Sequence, residues 1–239
     1  MEIFTILFAA AASAGEVATS WDSSGVIMLK LLGIVALVLL NGFFVASEFS
    51  IVKVRSSQLE ALIEQGNKSA AAARNVVAHL DEYLSATQLG ITLASLGLGW
   101  LGEPFLAAII EPAFHYIGIE SPVVIHSIAF AIAFSIITYL HIVLGELAPK
   151  SLAIRKAVEV TLLVSGPLKL FYLIFKPAIW FLNGNANFLL RHAFKIEPAG
   201  ESELFHSEEE LRLILAESQK ANEVSSLGKE IVINALDLK

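Results

Sequence analysis

The 239-residue sequence contains no cysteine. That excludes disulfides, thiolate zinc sites and a cysteine nucleophile, and it leaves the redox compartment open. Charge is scarce as well: Asp, Glu, Lys and Arg make up 16% of the chain, while 56% is hydrophobic. A soluble domain carries about 25% charged residues, and so sparse a supply does not clothe a globular surface of this size. A soluble globular protein is excluded on this ground, and a disordered one more firmly. The formal net charge is -7, so the basic face of a nucleic-acid binder is missing too. No internal repeat is evident.

What the sequence does have is long apolar runs, with its charge set to one end. From Glu197 to Lys239 there are ten acids and four bases, and the rest of the chain is close to neutral. This pattern reads as a membrane domain followed by an acidic appendage. Three stretches reach the ~20 residues that a helical span needs. The first lies between Lys30 and Lys53, with Glu48 its one charge. The second lies between Glu82 and Glu103, and the third between Glu120 and Glu146. A fourth apolar stretch, Val160 to Leu190, is interrupted by Pro167, Lys169, Lys176 and Pro177 and followed by Asn183-Gly184-Asn185. Proline removes a helix hydrogen bond and lysine is costly in a bilayer, so the reading is helices lying at the interface or against the bundle.

Lys53, Arg55, Lys68, Arg74, Lys150, Arg155 and Lys156 flank the same ends of the three spans, whereas the connection from Glu103 to Glu120 has no Lys or Arg. The positive-inside rule then places that loop and the N-terminus outside, and the C-terminus in the cytoplasm. The expected organisation is an N-terminal lead-in over 1–26, a transmembrane domain over 27–200, and an acidic helical bundle over 201–239. Within the domain the spans fall at about 28–52, 83–102 and 121–146, with juxtamembrane helices over 57–80 and 155–195. Met1 to Ala14 has the apolar run and Ala-Ser-Ala of a signal peptide but lacks its basic start, which favours a lead-in. Ser207 and Glu210 form a capping box that opens a helix in the tail. The chain stops at Leu238-Lys239 without a closing element, as a fragment of a longer protein would.

Polar groups within spans carry the functional signal. Asn41 and Glu48 are seven apart on one face of the first span, with Ser47 alongside. In the second span Ser85, Gln88, Thr92, Ser95 and Gly99 form one polar stripe, and Gly90, Gly97 and Gly99 admit close helix approach. In the third, Ser127, Thr138 and Gly145 share a face beside Ser135 and His141, and Glu146, Pro149 and Lys150 follow. Serine and threonine stripes are commonly interhelical packing surfaces, and His141, near a helix end, reads as a packing or interfacial residue rather than a ligand. His115 and His126 carry no signal. Glu48 and Glu146 either pair with Lys53 and Lys150 or enter a cavity as cation ligands or gates. The donors are carboxylate, amide, hydroxyl and carbonyl oxygens, a set suited to hard cations. Pro149 deprives the Gly145 carbonyl of its i+4 amide, freeing it for a cation or a water, as broken helices do at transport sites.

Three motifs then carry a resemblance. Asn41-Gly-Phe-Phe-Val-Ala-Ser-Glu-Phe ends the first span, Leu84-Ser-Ala-Thr-Gln-Leu-Gly-Ile-Thr-Leu-Ala-Ser opens the second, and Gly145-Glu-Leu-Ala-Pro-Lys-Ser-Leu-Ala ends the third. Together, from about Leu31 to Leu238, they resemble the membrane domain of the CorC/CNNM (cyclin M) magnesium transporters, whose bacterial members are often labelled hemolysin-like. The resemblance implies an all-α membrane protein of three transmembrane helices, a belt of juxtamembrane helices, a small cytoplasmic helical bundle and a homodimer in the bacterial inner membrane. It also implies that nucleotide-binding CBS domains follow in full-length members, so ATP acts through domains absent from this chain.

The family is thought to move Mg²⁺ outward, several members against Na⁺, with the ion held between the spans. Gly145, Glu146, Pro149 and Lys150 match its motif. Val45 stands where a serine is frequent, and Ile91, Thr92 and Ser95 fall where asparagines are expected. Asn41, Ser47, Thr92 and Ser95 then substitute as oxygen donors beside Gly145 and Glu146. Glu48, Gln88, Pro149 and Lys150 are candidate gating or secondary contacts. The leading expectation is a non-enzymatic Mg²⁺ exporter with Na⁺ as candidate counter-ion. The departures motivate a second reading, export of another divalent or an organic cation such as a polyamine. A third is a membrane scaffold that transports nothing and regulates a partner. No nucleophile–base pair or hydrolase-type metal motif supports an enzyme, and nothing supports a lytic protein.

Overall fold

A computed structural model describes residues 21–194 and 225–236, together with Arg212, Leu215, Ala216 and Ser218. The lead-in before Trp21 and the Ser207–Glu210 capping box lie outside the described residues. The described residues hold helices and no strand, and the chain divides into two compact units, Met1–Asn183 and Gly184–Lys239.

Helix α1 runs Ser24–Lys53, and the short helices α2, Ser56–Glu64, and α3, Lys68–Ala78, follow it. The turn between α2 and α3 uses Gly66 at φ 83°, a left-handed conformation that glycine adopts without a Cβ clash. Asn67 then caps α3, its Oδ1 accepting from the amides of Ser69 at 3.0 Å and Ala70 at 3.3 Å. Helix α4, Leu80–Gly97, passes through a π-helical segment, Leu98–Gly102, into α5, Glu103–Tyr116. A tight turn through Gly118, at φ 86°, reverses the chain into α6, Pro122–Leu140. A second π-helical segment, His141–Leu147, leads into α7, Ala148–Arg155. Helix α8 is Ala157–Leu189, a third π-helical segment spans Leu190–Phe194, and α9 is Ser226–Leu236 in the tail.

Two expectations are corrected. Glu103–Glu120 is not a loop for most of its length: α5 continues the second span and packs back along α6. Val160–Leu190 is not broken either, since α8 runs through both Pro167 and Pro177. Among the described residues four helical stretches rather than three are therefore long and apolar enough to cross a membrane: Ser24–Lys53, Leu80–Tyr116, Pro122–Arg155 and Ala157–Ala193. Prolines and lysines interrupt an apolar run along the string, whereas a helix sorts its residues by face. Lys169 and Lys176 are seven apart and share the exposed face of α8, while Val160, Val164 and Leu168 are buried. Each proline removes one backbone hydrogen bond without ending the helix.

Helix α1 lies at the centre, packed on α4, α7 and the second π segment. Toward the α5–α6 turn, Ile34 and Val38 meet Leu98, Phe105 and Ile137. At the other end Phe44 and Ile51 meet Val76, Tyr83 and Leu168. The tightest contact at a glycine is at Gly90, where a Cβ would stand 2.5 Å from ring carbons of Phe44. Phe44 is itself packed edge-on against Phe171 of α8, centroids 4.7 Å apart. Two polar contacts tie α8 to α4: the Tyr172 hydroxyl donates to Glu82, and Asn183 Nδ2 donates to Ser85 Oγ at 3.0 Å.

Candidate functional site

The site forms where α1 crosses the second π segment. Glycines make the crossing possible. A Cβ on Gly42 would lie 3.0 Å from Pro149 Cγ and 3.2 Å from the Leu144 carbonyl oxygen. A Cβ on Gly145 would lie 3.1 Å from both Asn41 Nδ2 and His141 Cδ2. With no side chain on either glycine, the buried Asn41 reaches the π segment and donates from Nδ2 to the Gly145 carbonyl at 2.9 Å. This is the carbonyl that Pro149, lacking an N–H, leaves without an i+4 partner. A broken hydrogen-bond ladder inside an apolar bundle is tolerated where neighbouring side chains satisfy the freed groups, and here Asn41 does so.

The other half of the amide points to the second span. Ser95 Oγ donates to Asn41 Oδ1 at 3.1 Å and lies 3.2 Å from His141 Nε2. Serine has one hydroxyl proton, so once it is given to Asn41 the oxygen accepts from an Nε2–H of His141. The result is a directed chain, His141 to Ser95 to Asn41 to Gly145, that joins all three of the originally expected spans at one depth. Asn41 bridges the other two through both ends of its amide, Nδ2 donating to the Gly145 carbonyl and Oδ1 accepting from Ser95 Oγ. The arrangement is closed, and a cation entering it displaces these hydrogen bonds.

The remaining sequence candidates lie around this knot. Ser47 is fully buried and donates to Phe43 O of its own helix at 2.7 Å. Thr92 is exposed and donates to Gln88 O at 2.8 Å, and Gln88 is exposed too. Glu146 is exposed and Glu48 is half-buried. Pro149 packs on Gly42, and Lys150 Nζ sits over the Phe49 ring, 4.5 Å from its centroid. Among the described residues no three His, Asp or Glu side chains gather into a metal cluster. The knot is built of neutral oxygen donors, so the charge that balances a cation has to come from a nearby carboxylate.

Two features were missed from sequence. His141, read as a packing or interfacial residue, is also a hydrogen-bond partner of Ser95, a contact that spacing along one helix does not signal. His126 is the other: its Nδ1 meets Glu111 Oε1 at 3.0 Å, and Glu111 is only 4% exposed. Positions 111 and 126 stand nearly symmetrically about the turn at Gly118, which an antiparallel helical hairpin would pair. At the same end of the bundle, Trp21 Nε1 donates to Ile109 O at 3.1 Å and Lys30 pairs with Asp22 at 2.6 Å.

An all-helical domain with helices long and apolar enough to cross a membrane, interrupted by π-helical segments, defines an integral membrane protein. Residues 32–227 match the family model described as the cyclin M transmembrane N-terminal domain, and the chain belongs to that family. It is 53% identical over 197 residues to the UPF0053 protein YhdT of Bacillus subtilis, covering 82% of this chain and 42% of that protein. UPF0053 protein YrkA of the same organism is 48% identical over 209 residues, covering 87% and 48%. The uncharacterized protein Rv1841c of Mycobacterium tuberculosis is 33% identical over 197 residues, covering 82% and 54%. The chain thus spans about half the length of the curated relatives it matches.

Proposed function

We propose that this chain is the membrane domain of a cation exporter whose cargo is Mg²⁺, driven by Na⁺ moving the other way, and that it works as a homodimer in the cytoplasmic membrane. Membership of a family associated with metal-ion transport across membranes supports the class. The observation that carries the reading is the knot of Asn41, Ser95 and Gly145, which gathers amide, hydroxyl and carbonyl oxygens from three helices. Those donors suit a hard cation. Glu146, next to Gly145, is the carboxylate that neutralises it after a shift of the π segment, whose interrupted ladder makes such a shift easier than in an unbroken helix. In this state the oxygens are engaged in hydrogen bonds from Asn41 Nδ2 and Ser95 Oγ, so the ion enters by exchanging protein hydrogen bonds for coordination.

The test is Mg²⁺ flux in proteoliposomes, with and without an opposing Na⁺ gradient. Flux that depends on Na⁺ and vanishes in Glu146→Ala supports the proposal. Normal Mg²⁺ flux in Glu146→Ala removes its core. No cation movement under any gradient, from folded protein, favours a scaffold.

A further inference from the structure

Between the second and third spans, on the side of the knot that runs toward the α5–α6 turn, lies a cavity of about 270 Å³. Its polar lining is Ser95, Glu103, Thr138 and His141, and Phe130 and Phe134 form much of the rest. Ser95 and His141 are members of the knot, so the cavity opens directly onto it. Glu103 is the one carboxylate among the lining residues. The neighbouring acid two turns on, Glu111, is already held by His126, whereas Glu103 forms no ion pair among the described residues. An ionisable side chain within a long apolar helix is costly unless it faces a polar cavity, and such residues mark ion pathways.

We infer that this cavity is a vestibule that holds a divalent cation within a complete first water shell, at the Glu103 carboxylate, once an exported ion has left the knot. The inference rests on the cation-transport reading above. Volume and donor count argue for the hydrated form. Six waters at their share of liquid volume, about 30 Å³ each, occupy about 180 Å³, which the cavity accommodates. Mg²⁺ demands near-octahedral oxygen ligation at about 2.0–2.1 Å and gives up water reluctantly. One carboxylate and two hydroxyls, with phenylalanine rings opposite, do not complete an octahedron, so water supplies the remainder. The hydroxyls, the imidazole and the carboxylate are instead placed to hydrogen-bond a water shell, with the carboxylate giving charge-assisted bonds.

The probe is hexaamminecobalt(III), a mimic of hexahydrated Mg²⁺ whose six ligands do not exchange. Titration calorimetry is run on the purified chain in nonionic detergent. The expected result is binding that Mg²⁺ displaces and that weakens at least about tenfold in Glu103→Gln, the loss of roughly one charge-assisted hydrogen bond. Glu103→Asp retains most of it, and Thr138→Val, which keeps the fold and volume, weakens it a few-fold. The inference is overturned if Glu103→Gln binds as well as the parent protein. It is equally overturned if Mg²⁺ binds but the complex does not compete, or if spermidine occupies the site and the complex does not. Flux measurements separate the two proposals. Mg²⁺ flux that ignores both hexaamminecobalt and Glu103→Gln leaves the exporter standing and removes the vestibule. Glu103-dependent binding in a protein that moves no cation leaves the vestibule and removes the exporter.

Discussion

Gly90→Ala is the sharpest probe of how the bundle is held together. The added methyl would lie 2.5, 2.5 and 2.6 Å from three ring carbons of Phe44. Ordinary carbon contacts sit at about 3.5–4.0 Å, so the helices or the ring must move by about 1 Å. The ring has little room to retreat. Phe44 is 2% exposed and is wedged between Phe43, at 5.1 Å between centroids, and Phe171, at 4.7 Å. Overpacking of this kind costs about 1–3 kcal/mol. For a chain of this size that is a drop of about 2–12 °C in melting temperature. The matched control is Gly33→Ala, also within a helix of a span, where a Cβ meets nothing within 4 Å. That change is expected to be neutral or to stabilise by up to about 1 kcal/mol through helix propensity. The assay is thermal unfolding in detergent, and the absence of native cysteine lets a single introduced thiol report opening. Phe44→Leu placed with Gly90→Ala should recover part of the loss, because it removes the clashing ring. Equal stability of Gly90→Ala and Gly33→Ala would refute the packing argument.

Asn41→Ala removes one buried and one part-buried hydrogen bond and leaves the Gly145 carbonyl without its side-chain donor; a loss of about 1–3 kcal/mol in unfolding experiments is expected, with Ser95→Ala costing less. Unchanged stability in Asn41→Ala would mean that water or a backbone amide already serves that carbonyl. Pro167→Ala restores a backbone donor in the middle of α8 and should raise the melting temperature, by up to about 3 kcal/mol of helix stability. No gain there would argue that α8 is kinked or parted at Pro167 in the membrane.

The apolar runs, the sparse charge and the three motifs made the membrane class, the helical fold and the family legible from the chain alone. Each depends on composition or on spacing along a single helix, and both are properties of local sequence. Part of the site was legible for the same reason: Pro149 lies four residues after Gly145, and its missing N–H denies that carbonyl the i+4 bond of an α-helix. Which group answers it was not legible, because Asn41 is 104 positions away. Helix faces decide such pairings only after the helices cross, and the crossing is set by Gly42, Gly90 and Gly145 meeting bulky partners.

Alpha 8 illustrates the same limit in reverse. Its prolines and lysines broke the run when read as a string, yet their face on the helix lets the segment persist. The Glu111–His126 pair waited on the register of a hairpin, and the Glu103 cavity on two spans standing apart. Sequence by itself determined that this protein is oily, helical, interrupted near one end of its third span, and of the cyclin M kind. Tertiary structure alone decided that Asn41, Ser95, His141 and Gly145 meet at one depth, because hydrogen bonds reach only about 3 Å and require the helices to be placed first.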